Sequence, residues 1–200
     1  MFETKMSRST VVRYWRRFRR LCANYFNAHP ITIGGPGTSV EIDESFMTTR
    51  KAQRGRRVRR YGRWIFGGTE RGSNHSFMVL VRRRRAIDLL PQILRHIRPG
   101  TTIYSDEWRA YRGIVRLPGW LLHRQVHHNR HFVDIITRYH TQNIERKWGE
   151  FKSDVRQKKG IHDNQLRSHI IEFLWRERFG KTKSAFYNFW NHVSELYPCN

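Results

Sequence analysis

Cysteine is nearly absent. Cys22 and Cys199 are the only two in 200 residues, which excludes a disulfide framework and a cysteine-rich zinc site. Long apolar runs are missing as well: nothing approaches the about 18 residues a membrane span needs. Met1 to Arg20 alternates charged and apolar residues without a signal-peptide core, so the expectation is a soluble chain in a reducing, intracellular compartment. Acid is the third scarcity. Sixteen Asp plus Glu stand against 39 Lys plus Arg, a net charge of +23. Self-repulsion of that size calls for a polyanionic partner, nucleic acid first and an acidic membrane surface second. With 38% hydrophobic and 14% aromatic residues the chain is not short of core material as a disordered one would be. Its length suits one compact domain with a flanking segment.

Residues 9–27 read as a basic amphipathic helix, with Val11, Val12, Trp15, Phe18, Leu21, Cys22 and Tyr25 at three- and four-residue intervals and arginines between them. PITIGGPGT (30–38) is rich in breakers and marks the best domain boundary. Strand patterns follow at 39–47, 63–70 and 75–81, the last two joined as a hairpin by RGSN. AIDLLPQILRHI (86–97) has helical spacing, and Pro91 requires a start near Asp88 so that it falls in the first turn. A short strand, TTIYSD (101–106), then a short helix (107–112) and a strand near 121–126 come next. HTQNIERKWGEFKSDVRQ (140–157) predicts a helix with Ile144, Trp148, Phe151 and Val155 in one stripe. Two more helices, rich in Trp, Phe and Tyr, are expected at 165–178 and 183–196. The order is that of an α/β mixture.

In so basic a chain each acid in an apolar setting needs a reason. Glu172, Glu177 and Glu195 have arginines or polar neighbours on helices and read as solvated faces. Asp106 ends an apolar strand just before a helix, the edge of an α/β sheet where ligand and catalytic groups gather. Asp43 lies within VEIDESF, where Glu41, Asp43 and Ser45 share one face and Val40, Ile42 and Glu44 the other. A carboxylate face on a strand costs desolvation unless a cation or donor meets it. Glu145 borders the apolar stripe of its helix, with Gly149 one turn on. Three carboxylates from a strand interior, a strand end and a helix suit a hard divalent cation, Mg²⁺ or Mn²⁺, and two such ions clamp both oxygens of a phosphodiester displacement.

VEIDES (40–45), WIFGGTERG (64–72), PGTTIYSDEWRAY (99–111), HHNRHFVD (127–134) and HTQNIERKWGEFK (140–152), in that order, with GGPG before the first acid and RKAQRGR after it, resemble the transposases of the IS1595/ISXO2 insertion sequences, nearest their eukaryotic Merlin branch. The resemblance implies a ribonuclease H-like fold, a mixed five-stranded sheet flanked by helices, here with an N-terminal basic helix and C-terminal helices. It implies three segments: 1–33 as the remnant of a DNA-binding region, 34–158 as the catalytic domain and 159–200 as a helical extension. It assigns Asp43, Asp106 and Glu145 as catalytic residues and metal ligands of a two-metal Mg²⁺ or Mn²⁺ site, with His127 (or His128), His140 and Asn143 as active-site support. It implies cleavage of DNA at transposon ends followed by strand transfer, and a homo-oligomer when active. Of the family's usual zinc ribbon or helix-turn-helix the cysteines are missing, and 9–27 is expected to provide at most the last helix of a DNA reader. The alternative is therefore a derivative that binds DNA and no longer transposes.

Residues 50–63 carry eight Lys or Arg and no acid. Lys51, Arg54, Arg56, Arg57, Arg59 and Arg60, with Lys152, are the candidate DNA contacts, and the same cluster can serve as a nuclear localisation signal. If the chain is eukaryotic the nucleus is the expected compartment, and otherwise the cytoplasm or nucleoid. Arg82–Arg85 reads as a solvated turn rather than a DNA contact. Five histidines between 123 and 140 lack the spacing of a zinc site. Trp148 reads as core, and the aromatic C-terminal helices as packing rather than as a base-stacking platform.

Overall fold

A computed structural model describes residues 6–49, 61–73, 75–119, 122–126, 141–180 and 184–198. They form two compact units, one of residues 31–167 and the other of residues up to Pro30 together with those from Ser168. The N-terminal helix and the C-terminal helices, set apart in the sequence, thus share one unit.

The larger unit is built on a five-stranded sheet of β1 (Ser39–Thr49), β2 (Tyr61–Glu70), β3 (Ser76–Val81), β4 (Thr102–Ser105) and β5 (Leu122–Gln125), in the order β3-β2-β1-β4-β5. β1 to β3 are antiparallel neighbours, and β4 and β5 run parallel to β1. An antiparallel meander extended by parallel strands on the far side of β1 is the ribonuclease H-like arrangement. Helix α2 (Ala86–His96) provides the crossover from β3 to β4, and α3 (Gln142–Gln157) packs on β1 and β2. Ile42, Ile65, Phe66, Phe77, Leu89, Ile93, Ile103, Tyr111, Ile144 and Phe151 are fully buried between sheet and helices. Burying each such side chain contributes about 1.5–3 kcal/mol.

Two expectations are corrected here. Helix α2 begins at Ala86, so Pro91 lies inside it instead of in its first turn. Pro91 and Ile87, four residues earlier, are both exposed, so the proline lies on the solvent side of the helix, away from the core. The segment after β4 is a longer 3₁₀ helix, Arg109–Arg116, whose Tyr111 and Ile114 enter the core.

The second unit contains α1 (Arg8–Ala28), the body of α4 (Leu166–Phe179) and α5 (Ala185–Leu196). Its centre is aromatic. Tyr25 stacks on His192 with centroids 3.6 Å apart, Trp175 Nε1 donates to His192 Nδ1 at 3.1 Å, and Phe18 meets Trp175 edge to face. Burial pushes the Cys22 thiol up to about 12, so this cysteine behaves as an inert core residue. Glu172 is not on a solvated face: it is 2% exposed. Arg176, one turn on, donates to it at 2.9 Å, and Arg19 from α1 stands 3.6 Å away. The arginines that made it look solvated instead keep its charge paired in the interior.

Candidate active site

β1 carries two carboxylates on its α3-facing side, and the structure gives them different tasks. Glu41 is completely buried. Its Oε1 accepts from Arg71 Nε at 2.7 Å and Asn143 Nδ2 at 2.8 Å, and its Oε2 from the backbone N–H groups of Asn143 at 2.9 Å and Ile144 at 3.2 Å. Thr141, the residue before α3, makes no capping bond with its side chain. Glu41 therefore caps the helix from the neighbouring strand, placing negative charge where the helix dipole favours it. Glu41 shares the face of Asp43, as the alternation predicts, yet its oxygens are already committed. Asn143, implied by the resemblance as active-site support, is engaged by Glu41.

Asp43 stands one side-chain repeat further along. Trp148 Nε1 donates to its Oδ2 at 3.0 Å. The indole reaches this carboxylate across β2, where Gly67 is the partner of Asp43 in the sheet. A Cβ at Gly67 would lie 2.7 Å from Trp148 Cη2 and 2.9 Å from the Phe77 carbonyl, so a side chain there would evict the ring. Trp148 is core, as the sequence implied, and it is also the group that holds Asp43. The pair of adjacent glycines inside a strand, Gly67 and Gly68, is the signal that could have revealed this.

Asp106 comes to Asp43 through the parallel pairing of β1 and β4. Glu41 faces Tyr104 in the register, and two residues further along each chain stand Asp43 and Asp106. Burial pushes the Asp43 carboxyl up to about 7; the charges of Glu44 and Asp106 add to the rise, and hydrogen bonds from the Glu44 backbone and Trp148 oppose it. Asp106 Oδ1 accepts from the Trp108 backbone N–H at 2.9 Å. Ser105 Oγ donates to the Asp106 carbonyl at 2.7 Å and lies 2.9 Å from His123 Nε2. With the serine proton committed, His123 donates through Nε2. Burial lowers the pKa of His123 and keeps it neutral.

Behind the pair, Glu44 on the opposite face of β1 is buried and ion-paired with Arg84, whose Nη2 lies 2.9 Å from its Oε2. The Arg84 guanidinium stacks over Trp64 and Trp108, and its carbonyl accepts from Trp108 Nε1 at 2.8 Å. Arg84 is thus an inward-facing residue, a correction to the reading of Arg82–Arg85 as a solvated turn; Arg82, Arg83 and Arg85 are exposed. The Tyr111 hydroxyl is buried beside the Glu44 carboxylate, and its ionisation is pushed up first by burial and then by that neighbouring charge.

Glu145 lies in the first turn of α3 and is exposed, with Thr141 Oγ1 at 3.4 Å. It neighbours Trp148 on the helix surface, three residues away, so it flanks the side chain that holds Asp43. Among the described residues no three His, Cys, Asp or Glu side chains are grouped closely enough to hold a metal ion. Asp43 and Asp106 are near enough for their charges to interact, and together with Glu145 they do not form such a group. Lys152 is half-buried on α3. Lys51, Arg54, Arg56, Arg57, Arg59, Arg60, His127, His128 and His140 lie outside the described residues.

The ISXO2-like transposase domain family matches residues 34–178. The chain belongs to that family. The match opens at the glycine loop before β1 and runs past the expected end at 158 into α4, so this is a transposase domain of the DDE type on a ribonuclease H-like sheet. No curated protein shows significant similarity to the chain. Among solved structures the transposase domain is similar to the HTLV-2 integrase catalytic core domain in complex with magnesium (dimeric form), with 12% identity, 70% of this chain and 86% of that chain covered, and a TM-score of 0.45. It is also similar to a simian T-cell lymphotropic virus intasome in complex with PP2A regulatory subunit B56 gamma, with 15% identity, 72% of this chain and 50% of that chain covered, and a TM-score of 0.44.

Proposed function

We propose that this transposase domain cleaves DNA strands at transposon ends and joins them to target DNA, with Asp43, Asp106 and Glu145 as its divalent-cation ligands. The observation that carries the reading is that Asp43 on β1 and Asp106, the first residue past the parallel neighbour β4, are near enough for their charges to interact. Two carboxylates that repel each other, one of them raised to about 7 by burial and by its neighbours, have the donor chemistry that fits Mg²⁺ or Mn²⁺. When bound, such ions supply charge stabilisation for both the attacking and the leaving oxygen of a phosphodiester.

The chain's own residues supply position. Trp148 fixes Asp43 through its indole N–H, and the Trp108 backbone fixes Asp106. Glu41 anchors the start of α3, which carries both Trp148 and Glu145. Glu145 joins the two aspartates by rotation of an exposed side chain at a fixed helix end. The basic stretch around Arg56, Arg57, Arg59 and Arg60, with Lys152, binds DNA phosphates, and the active species is a homo-oligomer. In a eukaryotic, Merlin-like setting the working compartment is the nucleus.

The test is nicking of supercoiled and pre-nicked DNA with Mg²⁺ or Mn²⁺. The parent should nick, and Asp106→Asn should not while still binding DNA. A parent that binds DNA and never nicks would identify a binding-only derivative. Nicking that persists in both Asp106→Asn and Glu145→Gln would remove these residues from the chemistry.

A further inference from the structure

The helical unit leaves large aromatic side chains in solvent. Trp190 is 52% exposed, Tyr14 58% and Tyr197 52%. They are not scattered: with Trp15 they rim one groove of about 910 Å³ between α1 and α5, floored by Phe18, Leu21, Phe189 and Val193. A concavity of this size belongs to the class of ligand sites. A concentration of exposed rings this dense marks an interaction surface.

The groove is also cationic. Arg17, Arg20 and Arg176 line it, and α1 brings Arg8, Arg13 and Arg16 besides, with no acid along its whole length. Arg176 is already stacked over Trp15 at 5.3 Å and Phe18 at 5.0 Å while donating to Glu172. It serves to stiffen the wall. Arg17 and Arg20 point to solvent. Flat π-faces alternating with exposed guanidinium groups match the two demands of a single nucleic-acid strand, base stacking and phosphate neutralisation. A duplex keeps its base faces inside the helix and offers nothing to Trp190 or Tyr14.

We propose that this groove binds unpaired nucleotides, with Tyr14, Trp15 and Trp190 stacking on bases and Arg17 and Arg20 holding the backbone. The site shares its ligand class with the catalytic reading and none of its residues.

Binding of the full-length chain to a labelled oligothymidylate and to a matched duplex, followed by fluorescence anisotropy, tests the idea. Trp190→Ala should weaken single-strand binding about tenfold, the scale of one stacked base, and leave duplex binding unchanged, with Trp190→Phe restoring most of the loss. Replacing Arg17 and Arg20 by Ala should lower the single-strand salt slope by about 1.4, two phosphates at about 0.7 each. The parent's tryptophan fluorescence should be quenched by the single strand and not by the duplex. Equal losses on both DNA forms, or none on the single strand, would overturn the proposal. So would a dimer that falls to monomer in Trp190→Ala while single-strand binding persists, since the groove would then be a contact between two copies of the chain. A parent that keeps its single-strand selectivity and lacks metal-dependent nicking would remove the catalytic reading and support this one.

Discussion

Trp148 donates its indole N–H to Asp43 at 3.0 Å over the bare backbone of Gly67. One contact therefore ties a helix, the central strand and its antiparallel neighbour to the carboxylate on which the proposed chemistry depends. Gly67→Ala would put a methyl group 2.7 Å from the ring. Overpacking of this kind costs about 1–3 kcal/mol, and here it also removes the bond to Asp43. We expect a lower Tm in Gly67→Ala together with weaker Mn²⁺ binding, whereas Trp148→Phe, which keeps a ring and loses the N–H, should lose about 1 kcal/mol. Wild-type Tm and cation affinity in Gly67→Ala would show that the indole does not position Asp43.

Glu41 and Asp43 share a strand face and should respond oppositely to substitution. Glu41→Ala takes away the carboxylate that Arg71 and the first N–H groups of α3 donate to, and leaving buried helix donors unsatisfied costs about 1–3 kcal/mol. Glu41→Gln should be milder, and the protein that remains folded should bind divalent cations as before. Urea unfolding and a cation titration on the same samples separate the two effects. A large loss of cation affinity in Glu41→Gln without a loss of stability would make Glu41 a ligand.

The metal-free protein should be less stable at pH 8 than at pH 5 because of Asp43. An unfolded aspartate titrates near 3.8 and this one near 7, so between those values the folded state holds a proton that the unfolded state has released. Stability from this group is complete below about pH 4 and lost as pH rises through about 7, by about 4 kcal/mol in all. Asp43→Asn should flatten the slope and raise the urea midpoint at pH 8 in a chelator. An unchanged pH slope in Asp43→Asn would place the titration elsewhere.

Much of this was legible from residue order. The alternation in VEIDESF located the central strand, and TTIYSD placed Asp106 at a strand end. The spacing of Ile144, Trp148 and Phe151 located α3. Periodicity carries such elements because one face of each is buried. What it could not carry is partnership between distant segments. Glu41 and Asp43 look alike in sequence, and only the docking of α3 onto β1 makes one a helix cap. Glu172 and Arg84 looked solvated because their neighbours are charged, yet those charges, or Glu44 some 40 residues away, are what allow them inside. Pro91 looked like a helix start because the local rule does not see that the residue lies on the exposed side of a helix held by its other face. The aromatic C-terminal helices split in two: Trp175 packs inward as expected, and Trp190 faces outward at a groove that no single helix reveals.

Cation binding by Asp43 and Asp106 is the claim on which the rest depends, and Mn²⁺ titration followed by electron paramagnetic resonance addresses it without DNA. The parent should bind Mn²⁺ at neutral pH, Asp43→Asn and Asp106→Asn should each weaken binding at least tenfold, the loss of about 1.4 kcal/mol or more that a removed ligand charge implies, and Glu41→Gln should match the parent. Equal Mn²⁺ binding in the parent, Asp43→Asn and Asp106→Asn would contradict the account.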